Sequence, residues 1–384
     1  MEYQRLYAKV DLDAIGKNVA GVRRKIPCGT RIMAIIKANA YGHGSVALAR
    51  YLEDKSDYFG VATLAEAVEL REAGVEKGIL ILGNIDPREY KKAIDNNITL
   101  TITSYANAEI LSSLAQQANK QILIHIKVDT GMSRIGFKAT DENAEAVKNI
   151  AKLPNLTVEG MFTHFAIADS KDKSSALKQR EKFDYFASKC KEKGVEIPIL
   201  HANNSAGTME LDKYYNMVRM GIMLYGLYPS EEMDKSYKLY PAMELFGHVS
   251  YVKTLEKGVG IGYGHTYITD KETRVATVPC GYADGYPRAL SNRSEVLIRG
   301  KRCKVLGRIC MDQIMVDVSE IPDVKAGEEV VLFGKMGDEC ISVEELAALS
   351  YSFNYEFVCG IARRVPRVYY EGGEYLHTVD YLAK

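Results

Sequence analysis

The segment around Lys37 combines residue types that could bind a carbonyl ligand covalently. Lys37 follows the apolar run 31–36 and precedes Ala-Asn-Ala-Tyr-Gly-His-Gly at 38–44. The β-branched run predicts a strand buried on both faces, so that Lys37 falls at its carboxyl end. Partial burial disfavours a charged amine, and the free amine can form a Schiff base with an aldehyde. A lysine that simply extends its head into water is the alternative interpretation.

The elements that must position this lysine alternate regularly along the first part of the chain. A helical pattern at 45–52 follows the glycines at 42 and 44. Eight apolar segments predict strands at 32–37, 58–63, 78–83, 99–103, 122–129, 157–164, 197–202 and 217–224. Amphipathic segments between them predict helices at 14–25, 64–73, 87–96, 106–119 and 174–193. This α/β pattern predicts a (β/α)8 barrel of the TIM type, with a doubly wound open sheet as the alternative.

The pattern changes near residue 240. Short β-like segments at 247–255, 273–279, 295–299, 302–309, 313–317 and 329–333 alternate with glycine, proline and aspartate turns, and 342–350 alone looks helical. We therefore predict two domains: a barrel over residues 1–240 and a mostly antiparallel β domain over residues 241–384.

Composition narrows the class of ligand. Of 384 residues, 47% are hydrophobic and 26% charged, and 50 Lys and Arg balance 50 Asp and Glu. The balance gives no overall field for nucleic acid or an anionic membrane and favours a small neutral or zwitterionic substrate. The seven cysteines form no Cys-x-x-Cys pair, so no metal site is predicted. The start lacks the apolar core of a signal peptide and no run could span a bilayer, so we expect a cytoplasmic protein.

Polar residues recur where the predicted strands end. Active sites of parallel barrels collect at the carboxyl ends of their strands. The polar residues found there are Lys37, Tyr41, Lys127, Arg134, His164, Ser205 and Arg219, and Arg219 is followed by Gly221 and Ile222.

The segment 34–44 resembles the pyridoxal-phosphate (PLP) attachment motif of alanine racemases, and similar landmarks recur from Val10 to Arg367. The resemblance implies interconversion of L- and D-alanine, with PLP bound through Lys37 and D-alanine supplied for bacterial cell-wall peptide. It also implies a phosphate cradle, formed by Tyr41, Ser205, Gly221, Ile222 and Tyr355. From the residues alone, Ser205 could equally be a helix N-cap and Gly221 a turn.

Arg219 is implied to face the pyridine nitrogen. A guanidinium stays protonated and should leave that nitrogen unprotonated, which limits electron withdrawal and favours rapid reprotonation over side reactions. A strand-end arginine paired with an acidic neighbour is the alternative.

Racemisation needs a base on each face of Cα. The resemblance implies Lys37 for one face and Tyr263, in Gly-Ile-Gly-Tyr-Gly-His-Thr-Tyr at 260–267, for the other. A phenol is a poor base at neutral pH, so neighbours must favour its phenolate; the implied neighbour is His164. Tyr263 and Met311, whose amide would meet the substrate carboxylate, are implied to come from the other subunit of a homodimer with composite sites.

Three further roles are implied by the resemblance. Arg134 would contact the cofactor's phenolic oxygen and the substrate carboxylate. Lys127 would carry a carbamate that orients Arg134, with an ordinary salt bridge as the alternative. Tyr282 would line the entrance with Tyr355. The sequence departs from the family pattern at Ser133, where glycine is frequent, and at His265, where alanine is common.

Three other functions must be weighed against alanine racemisation. A serine or broad-specificity racemase would share the mechanism, and the size of the pocket would decide. A barrel-fold decarboxylase is disfavoured by Arg219, since decarboxylation benefits from an acidic group at the pyridine nitrogen. A non-catalytic PLP-binding barrel protein would lack the tract 240–384.

Overall fold

The computed structural model describes residues 4–383. These form two compact units. The barrel unit comprises residues 14–40 and 45–241. The β unit comprises the described residues up to 13, residues 41–44 and those from 242 onward. Within the described chain, no helix is long and apolar enough to cross a membrane.

The barrel unit contains eight parallel strands in the order β10-β2-β3-β4-β5-β6-β8-β9, with the short β7 beside β6. The strands are β2 (Arg31–Ile35), β3 (Tyr58–Val61), β4 (Gly78–Ile81), β5 (Thr99–Ile102), β6 (Ile122–Asp129), β7 (Phe137–Lys138), β8 (Leu156–Phe162), β9 (Ile199–His201) and β10 (Met217–Met220). The last strand pairs with the first. Backbone bonds from Asn216 N to Leu200 O and from Arg219 N to Asn203 O tie β10 to the β9 segment. The predicted α/β barrel is confirmed, and the open-sheet alternative is wrong.

All eight barrel strands lie where the apolar segments predicted them, but most end earlier. Lys37 stands two residues beyond β2, and the predicted strand 217–224 stops at Met220 before a 3-10 helix, Ile222–Tyr225. Polar and glycine residues take over at these ends because the chain leaves the sheet to form the rim. Among the candidate site residues, Lys127 and Arg219 lie within β6 and β10, whereas Lys37, His164 and Ser205 follow the ends of their strands.

Each segment predicted to be helical contains a helix. The α-helices are α1 (Leu12–Lys25), α2 (Lys37–Tyr41), α3 (Ser45–Leu52), α4 (Leu64–Glu72), α5 (Tyr90–Asp95), α6 (Tyr105–Gln117), α7 (Asp141–Ala151), α8 (Ser174–Glu192), α9 (Ser205–Glu210), α10 (Val343–Leu349) and α11 (Asn354–Cys359). Of these, α2, α7, α9 and α11 were not predicted. The other short 3-10 helices are Pro87–Glu89, Tyr263–His265, Tyr282–Asp284 and Arg288–Leu290. Among these α-helices, only α2 departs from right-handed geometry.

The β unit is built on a mostly antiparallel sheet in the order β12-β15-β18-β17-β16-β19-β11-β1-β21-β22. Its strands are β1 (Leu6–Asp11), β11 (Met243–His248), β12 (Tyr251–Leu255), β13 (Gly260–Ile261), β14 (Tyr267–Ile268), β15 (Thr273–Val278), β16 (Glu295–Ile298), β17 (Lys301–Leu306), β18 (Ile314–Asp317), β19 (Glu329–Met336), β20 (Glu339–Ile341), β21 (Arg367–Glu371) and β22 (Glu374–Val379). The predicted segment 247–255 is two strands, and β13, β14, β20, β21 and β22 were not anticipated.

Strand β1 does not belong to the barrel unit, although the sequence prediction placed residues 1–240 in one domain. It pairs antiparallel with β11 and parallel with β21. Leu6, Ala8 and Val10 are fully buried. This pairing joins residues far apart in sequence, so no local pattern could indicate it.

The loop 41–44 is held within the β unit by side chains that donate hydrogen bonds to its backbone carbonyls. The Arg367 guanidinium donates to Gly42 O (2.8 Å), and the Tyr369 hydroxyl donates to His43 O (2.9 Å). Gly42 has φ of +85°, and a Cβ there would collide with the carbonyl oxygen of Val358. Both the dihedral angle and the close approach therefore require glycine.

We expect Gly42→Ala to lower the melting temperature clearly more than Gly29→Ala does. Gly29 has the same φ of +85°, but a Cβ added there would meet no atom within 4 Å. Each variant bears roughly 1–2 kcal/mol of left-handed strain. Gly42→Ala adds a backbone displacement of roughly 1–3 kcal/mol. Scanning calorimetry measures both, and equal shifts would contradict the close packing at Val358.

Candidate active site

Lys37 opens a left-handed turn directly after β2. Residues Ala38, Asn39 and Ala40 have φ of 52°, 53° and 51°, and Ala40 N donates to Ile36 O (2.9 Å). Each left-handed residue other than glycine costs roughly 1–2 kcal/mol. Backbone strain of this kind clusters at functional sites. The surrounding structure must therefore supply free energy to hold the backbone beside Lys37 in this strained conformation.

Side chains from neighbouring segments fix this turn. Ala38 N donates to the Glu66 carboxylate (2.7 Å), and Ser45 N donates to the Asn39 carboxamide oxygen (3.0 Å). Glu66 also accepts from the backbone at Thr63, which caps α4. The direction in which the chain leaves Lys37 is thus tied to the starts of two helices.

Four cationic side chains surround His164 at the carboxyl ends of the strands. Burial, followed by Arg219, Arg134, Lys127 and Lys37, holds the pKa of His164 well below its ordinary value. The imidazole is therefore neutral at physiological pH, and this part of the barrel unit has a positive field. Such a field suits an anionic ligand.

Lys127 is almost completely buried, at 2% exposed. Its ammonium donates to Val128 O (2.8 Å) and lies over the Phe162 ring. Burial, followed by the nearby Arg219, lowers the pKa of this amine to about 8. Among residues 4–383, no carboxylate is within ion-pair distance of Lys127, so the salt-bridge alternative is wrong.

Arg219 is buried at the end of β10 and bonds to backbone carbonyls and imidazoles. Its guanidinium donates to the carbonyl oxygens of Thr163 (2.8 Å), Ala202 (2.9 Å) and His201 (3.1 Å). It also meets Nδ1 of His201 (3.1 Å) and of His164 (3.3 Å). In the part of the chain that the structure describes, no carboxylate pairs with it. The predicted alternative, an acidic neighbour, is therefore wrong.

Ser205 and the segment after β10 converge. The Ser205 hydroxyl accepts from Gly221 N (3.0 Å) and Met223 N (3.3 Å). The N-cap of α9 is Asn204, whose side chain accepts from Gly207 N, so the capping alternative for Ser205 is wrong. Gly221 has φ of −94°, which is not a left-handed turn. The Ser205 hydroxyl accepts both bonds and still has its own proton, so it is a suitable donor for a phosphate group.

The β unit brings the remaining predicted site residues into two groups. The rings of Tyr41 and Tyr355 are 6.0 Å apart, and burial raises the pKa of Tyr41, which keeps its hydroxyl a neutral donor. Tyr263, Met311 and Tyr282 are exposed by 69%, 53% and 42%. Backbone bonds from Tyr282 N and Ala283 N to the carbonyls of 310 and 311 hold two of these loops together.

Gln179 was missed by sequence reasoning. From α8 its carboxamide donates to His164 O (3.0 Å) and Thr130 Oγ1 (3.2 Å) and accepts from Ala166 N (2.8 Å). It therefore fixes the loop that carries His164. The only signal in the sequence was an uncharged polar residue within a highly charged helix, which is too weak to identify a role.

The chain combines a parallel barrel, whose rim holds a lysine among other cationic side chains, with an antiparallel β unit. This combination of fold and site defines a class of enzymes. Two family models match the chain, alanine racemase N-terminal domain over residues 10–229 and alanine racemase C-terminal domain over residues 242–369. The chain belongs to the alanine racemase family, whose members are PLP-dependent isomerases acting on amino acids.

Relatives and solved structures match over nearly the full length. The alanine racemase of Desulforamulus reducens is 45% identical, covering 95% of this chain and 98% of the relative. That of Methanococcus maripaludis is 46% identical with the same coverage. The structure of the Clostridium difficile 630 enzyme matches with a TM-score of 0.96 at 40% identity, covering 100% of both chains. The Bacillus anthracis enzyme with bound L-Ala-P matches with a TM-score of 0.94 at 38% identity, covering 100% and 99%.

The barrel unit's donor set fits PLP. The cofactor has an aldehyde, a phosphate and a pyridine nitrogen. The unit offers an amine at Lys37, the Ser205 hydroxyl, which keeps its own proton to donate, and the Arg219 guanidinium without a competing carboxylate among the described residues. Among residues 4–383, no group of three or more His, Cys, Asp or Glu side chains could hold a metal ion.

Proposed function

We propose that this enzyme interconverts L- and D-alanine with PLP by two bases, Lys37 on one face of Cα and Tyr263 of a second copy on the other. One observation carries this proposal. Arg219 has no carboxylate partner among the described residues and contacts His164, which lies near Lys37. An arginine at the pyridine nitrogen favours returning a proton to Cα, which is what racemisation requires. The full-length match to alanine racemases supports the same reaction.

Apart from the two proposed bases, Lys37 and Tyr263, the site residues would bind and orient the cofactor and the substrate without reacting themselves. Ser205, Gly221 and Ile222, with Tyr41 and Tyr355, would hold the phosphate. Arg219 would donate to the ring nitrogen of the cofactor. The neutral His164 would accept a hydrogen bond from Arg219. When bound, PLP withdraws electrons and makes the substrate's Cα proton acidic.

Arg134 and Met311 would bind the substrate carboxylate. Arg134 is exposed at the end of the β6 loop, where its planar group is available for a bidentate contact. The Met311 amide would approach from the second copy. With the carboxylate and amine both held, Cα has one defined orientation, and each base faces one side of it.

The exposure of Tyr263 and Met311 supports a homodimer with composite sites. Both are large side chains that are more than half exposed in the single chain. We further propose that the enzyme works in the cytoplasm and that its D-alanine product serves peptidoglycan synthesis.

The competing functions differ in what the site would have to accept. Serine or broad-specificity racemisation needs only a slightly larger pocket near Tyr355 and Tyr282. Decarboxylation loses support because it benefits from an acidic group at the pyridine nitrogen, whereas the group proposed to face that nitrogen is Arg219. A non-catalytic PLP-binding barrel protein loses support because the β unit matches the racemase C-terminal domain.

The function is tested by incubating the PLP-reconstituted protein with L-alanine, L-serine and L-lysine. D-isomer formation and carbon dioxide release are followed by chiral chromatography and manometry. We expect D-alanine to form fastest and no carbon dioxide. Faster racemisation of serine would select the alternative, and racemisation of none would refute the proposal.

We propose that Lys127 carries a carbamate. Its neutral amine can attack carbon dioxide, forming an N–C bond and releasing one proton, and its pKa of about 8 makes that amine available near neutral pH. The resulting anion would neutralise the two arginines that otherwise lower this pKa. It would also orient Arg134 toward the substrate.

Equilibration with ¹³C-bicarbonate should therefore give one carbamate carbon signal by NMR. Lys127→Met should abolish it and raise KM for alanine, because Arg134 loses its orienting anion. Lys138→Met, an exposed lysine on β7, is the control and should keep it. Absence of the signal at saturating bicarbonate would refute the carbamate.

Tyr263→Phe should abolish exchange of the L-alanine α-proton with solvent deuterium while D-alanine still exchanges, because only the tyrosine face loses its base. Racemisation should fall in both directions by roughly 10²–10⁴-fold, since each direction uses both bases. The absorbance of the bound cofactor should survive. Tyr267→Phe in the same hairpin is the control. Loss of exchange from both enantiomers, or loss of PLP, would point to a structural role for Tyr263.

A further inference from the structure

A line of hydrogen-bonded side chains extends from Arg219 through the interior of the barrel unit. Arg219 meets His201 Nδ1 (3.1 Å), and His201 Nε2 meets His125 Nδ1 (2.9 Å). His125 Nε2 meets the Glu159 carboxylate (3.0 Å), and the Tyr58 hydroxyl donates to the same oxygen (2.6 Å). The line joins the candidate cofactor site to a carboxylate that no step of the proposed reaction uses.

The members come from five different strands and are shielded from water. They belong to β10, β9, β6, β8 and β3. Both imidazoles are fully buried and Arg219 is 3% exposed, while the Glu159 side chain keeps 21% exposure. Such a buried polar line persists only if every donor has an acceptor.

The chemistry of the groups fixes one direction for the protons. A guanidinium only donates, so His201 Nδ1 must be the acceptor and the His201 proton is on Nε2. That N–H donates to His125 Nδ1, so the His125 proton is also on Nε2. It then donates to the carboxylate of Glu159, which only accepts. Reversing either imidazole would place two donors face to face.

The local electrostatics agree with two neutral imidazoles. Burial lowers the pKa of both His201 and His125, and for His201 the nearby Arg219 lowers it further. Burial opposes ionisation of Glu159. Hydrogen bonds from His125 and Tyr58 nevertheless hold the pKa of Glu159 below its ordinary value. The carboxylate is thus the one charged acceptor at the end of the line.

We propose that Glu159, His125 and His201 are positioning residues: the Glu159 carboxylate fixes both imidazoles as Nε2–H tautomers, and His201 Nδ1 thereby orients the Arg219 guanidinium. None of the three touches the reacting atoms. The link to catalysis rests on the proposed function, in which Arg219 faces the cofactor. The tautomer assignment stands without it.

The first test reads the tautomers directly. ¹⁵N solid-state NMR of histidine-labelled holoenzyme, assigned with His125→Gln and His201→Gln, should show protonated Nε2 and unprotonated Nδ1 at both positions. A protonated Nδ1 at either position would overturn the proposal. This measurement needs no catalytic activity, so it also holds if the proposed function fails. Failure of that function would be seen separately, as an absence of alanine racemisation by the wild-type protein.

The second test changes the terminal acceptor. Glu159→Leu leaves the His125 N–H without a partner and releases both tautomers. We expect kcat to fall about ten- to hundredfold in both directions. KM for alanine should change little, and the absorption of the bound cofactor should shift as Arg219 moves. Glu159→Gln keeps an acceptor oxygen for both donors, so it should keep the wild-type tautomers and lose less activity.

Thr101→Val is the matched control. Thr101 is buried, pairs in register with His125 across β5 and β6, and donates to Ile81 O rather than to the line. It should retain wild-type kcat and cofactor absorption. If Thr101→Val were as impaired as Glu159→Leu, or if Glu159→Gln were no better than Glu159→Leu, the positioning role would be refuted.

Discussion

The burial of the Arg219 guanidinium without a neighbouring carboxylate is the constraint on which the site depends. A buried cation is costly unless every N–H has an acceptor. Here the acceptors are carbonyl oxygens at the ends of β8 and β9 together with two imidazoles. These acceptors converge only because the parallel strands close into a ring whose carboxyl ends share one rim. The hydrogen bonds of Arg219 are thus a consequence of barrel closure. Its buried positive charge in turn contributes to the positive field of the rim.

The same constraint accounts for the state of the histidines. Burial, followed by the arginines and lysines on several sides, lowers the pKa of His164, so it remains neutral and accepts from Arg219. His201 is held neutral for the same reasons. The site therefore keeps several fixed positive charges and has neutral imidazoles between them. This arrangement can attract and orient an anionic cofactor while leaving proton transfer to a small number of groups.

Lys37 shows how strain and connectivity combine. The chain enters the site through a buried strand, passes through a left-handed turn fixed by Glu66 and Asn39, and continues into a loop anchored in the β unit by Arg367. Substitutions far from the lysine in sequence would therefore alter the turn beside it. Hydrogen bonds from Ala38 N to Glu66 and from Ser45 N to Asn39 offset part of the cost of this local strain.

By itself, the sequence determined the alternation of strands and helices, the barrel, the change of pattern near residue 240 and most of the rim residues. These features follow from local periodicity and from the rule that rim residues follow strands. The long motifs around Lys37 and Tyr263 were specific enough to indicate the family.

Only the tertiary structure decided which groups meet. Four features depend on residues that are distant in sequence. They are the pairing of β1 with the sheet of the β unit, the hydrogen bonds of Gln179, the lack of carboxylates around Arg219 in the described chain, and the hydrogen-bonded line from His201 to Glu159. Such contacts depend on strand order, register and burial, which a single sequence does not specify. The tautomers of two histidines and the charge of a lysine follow from those contacts, because hydrogen bonding and desolvation are properties of the folded neighbourhood.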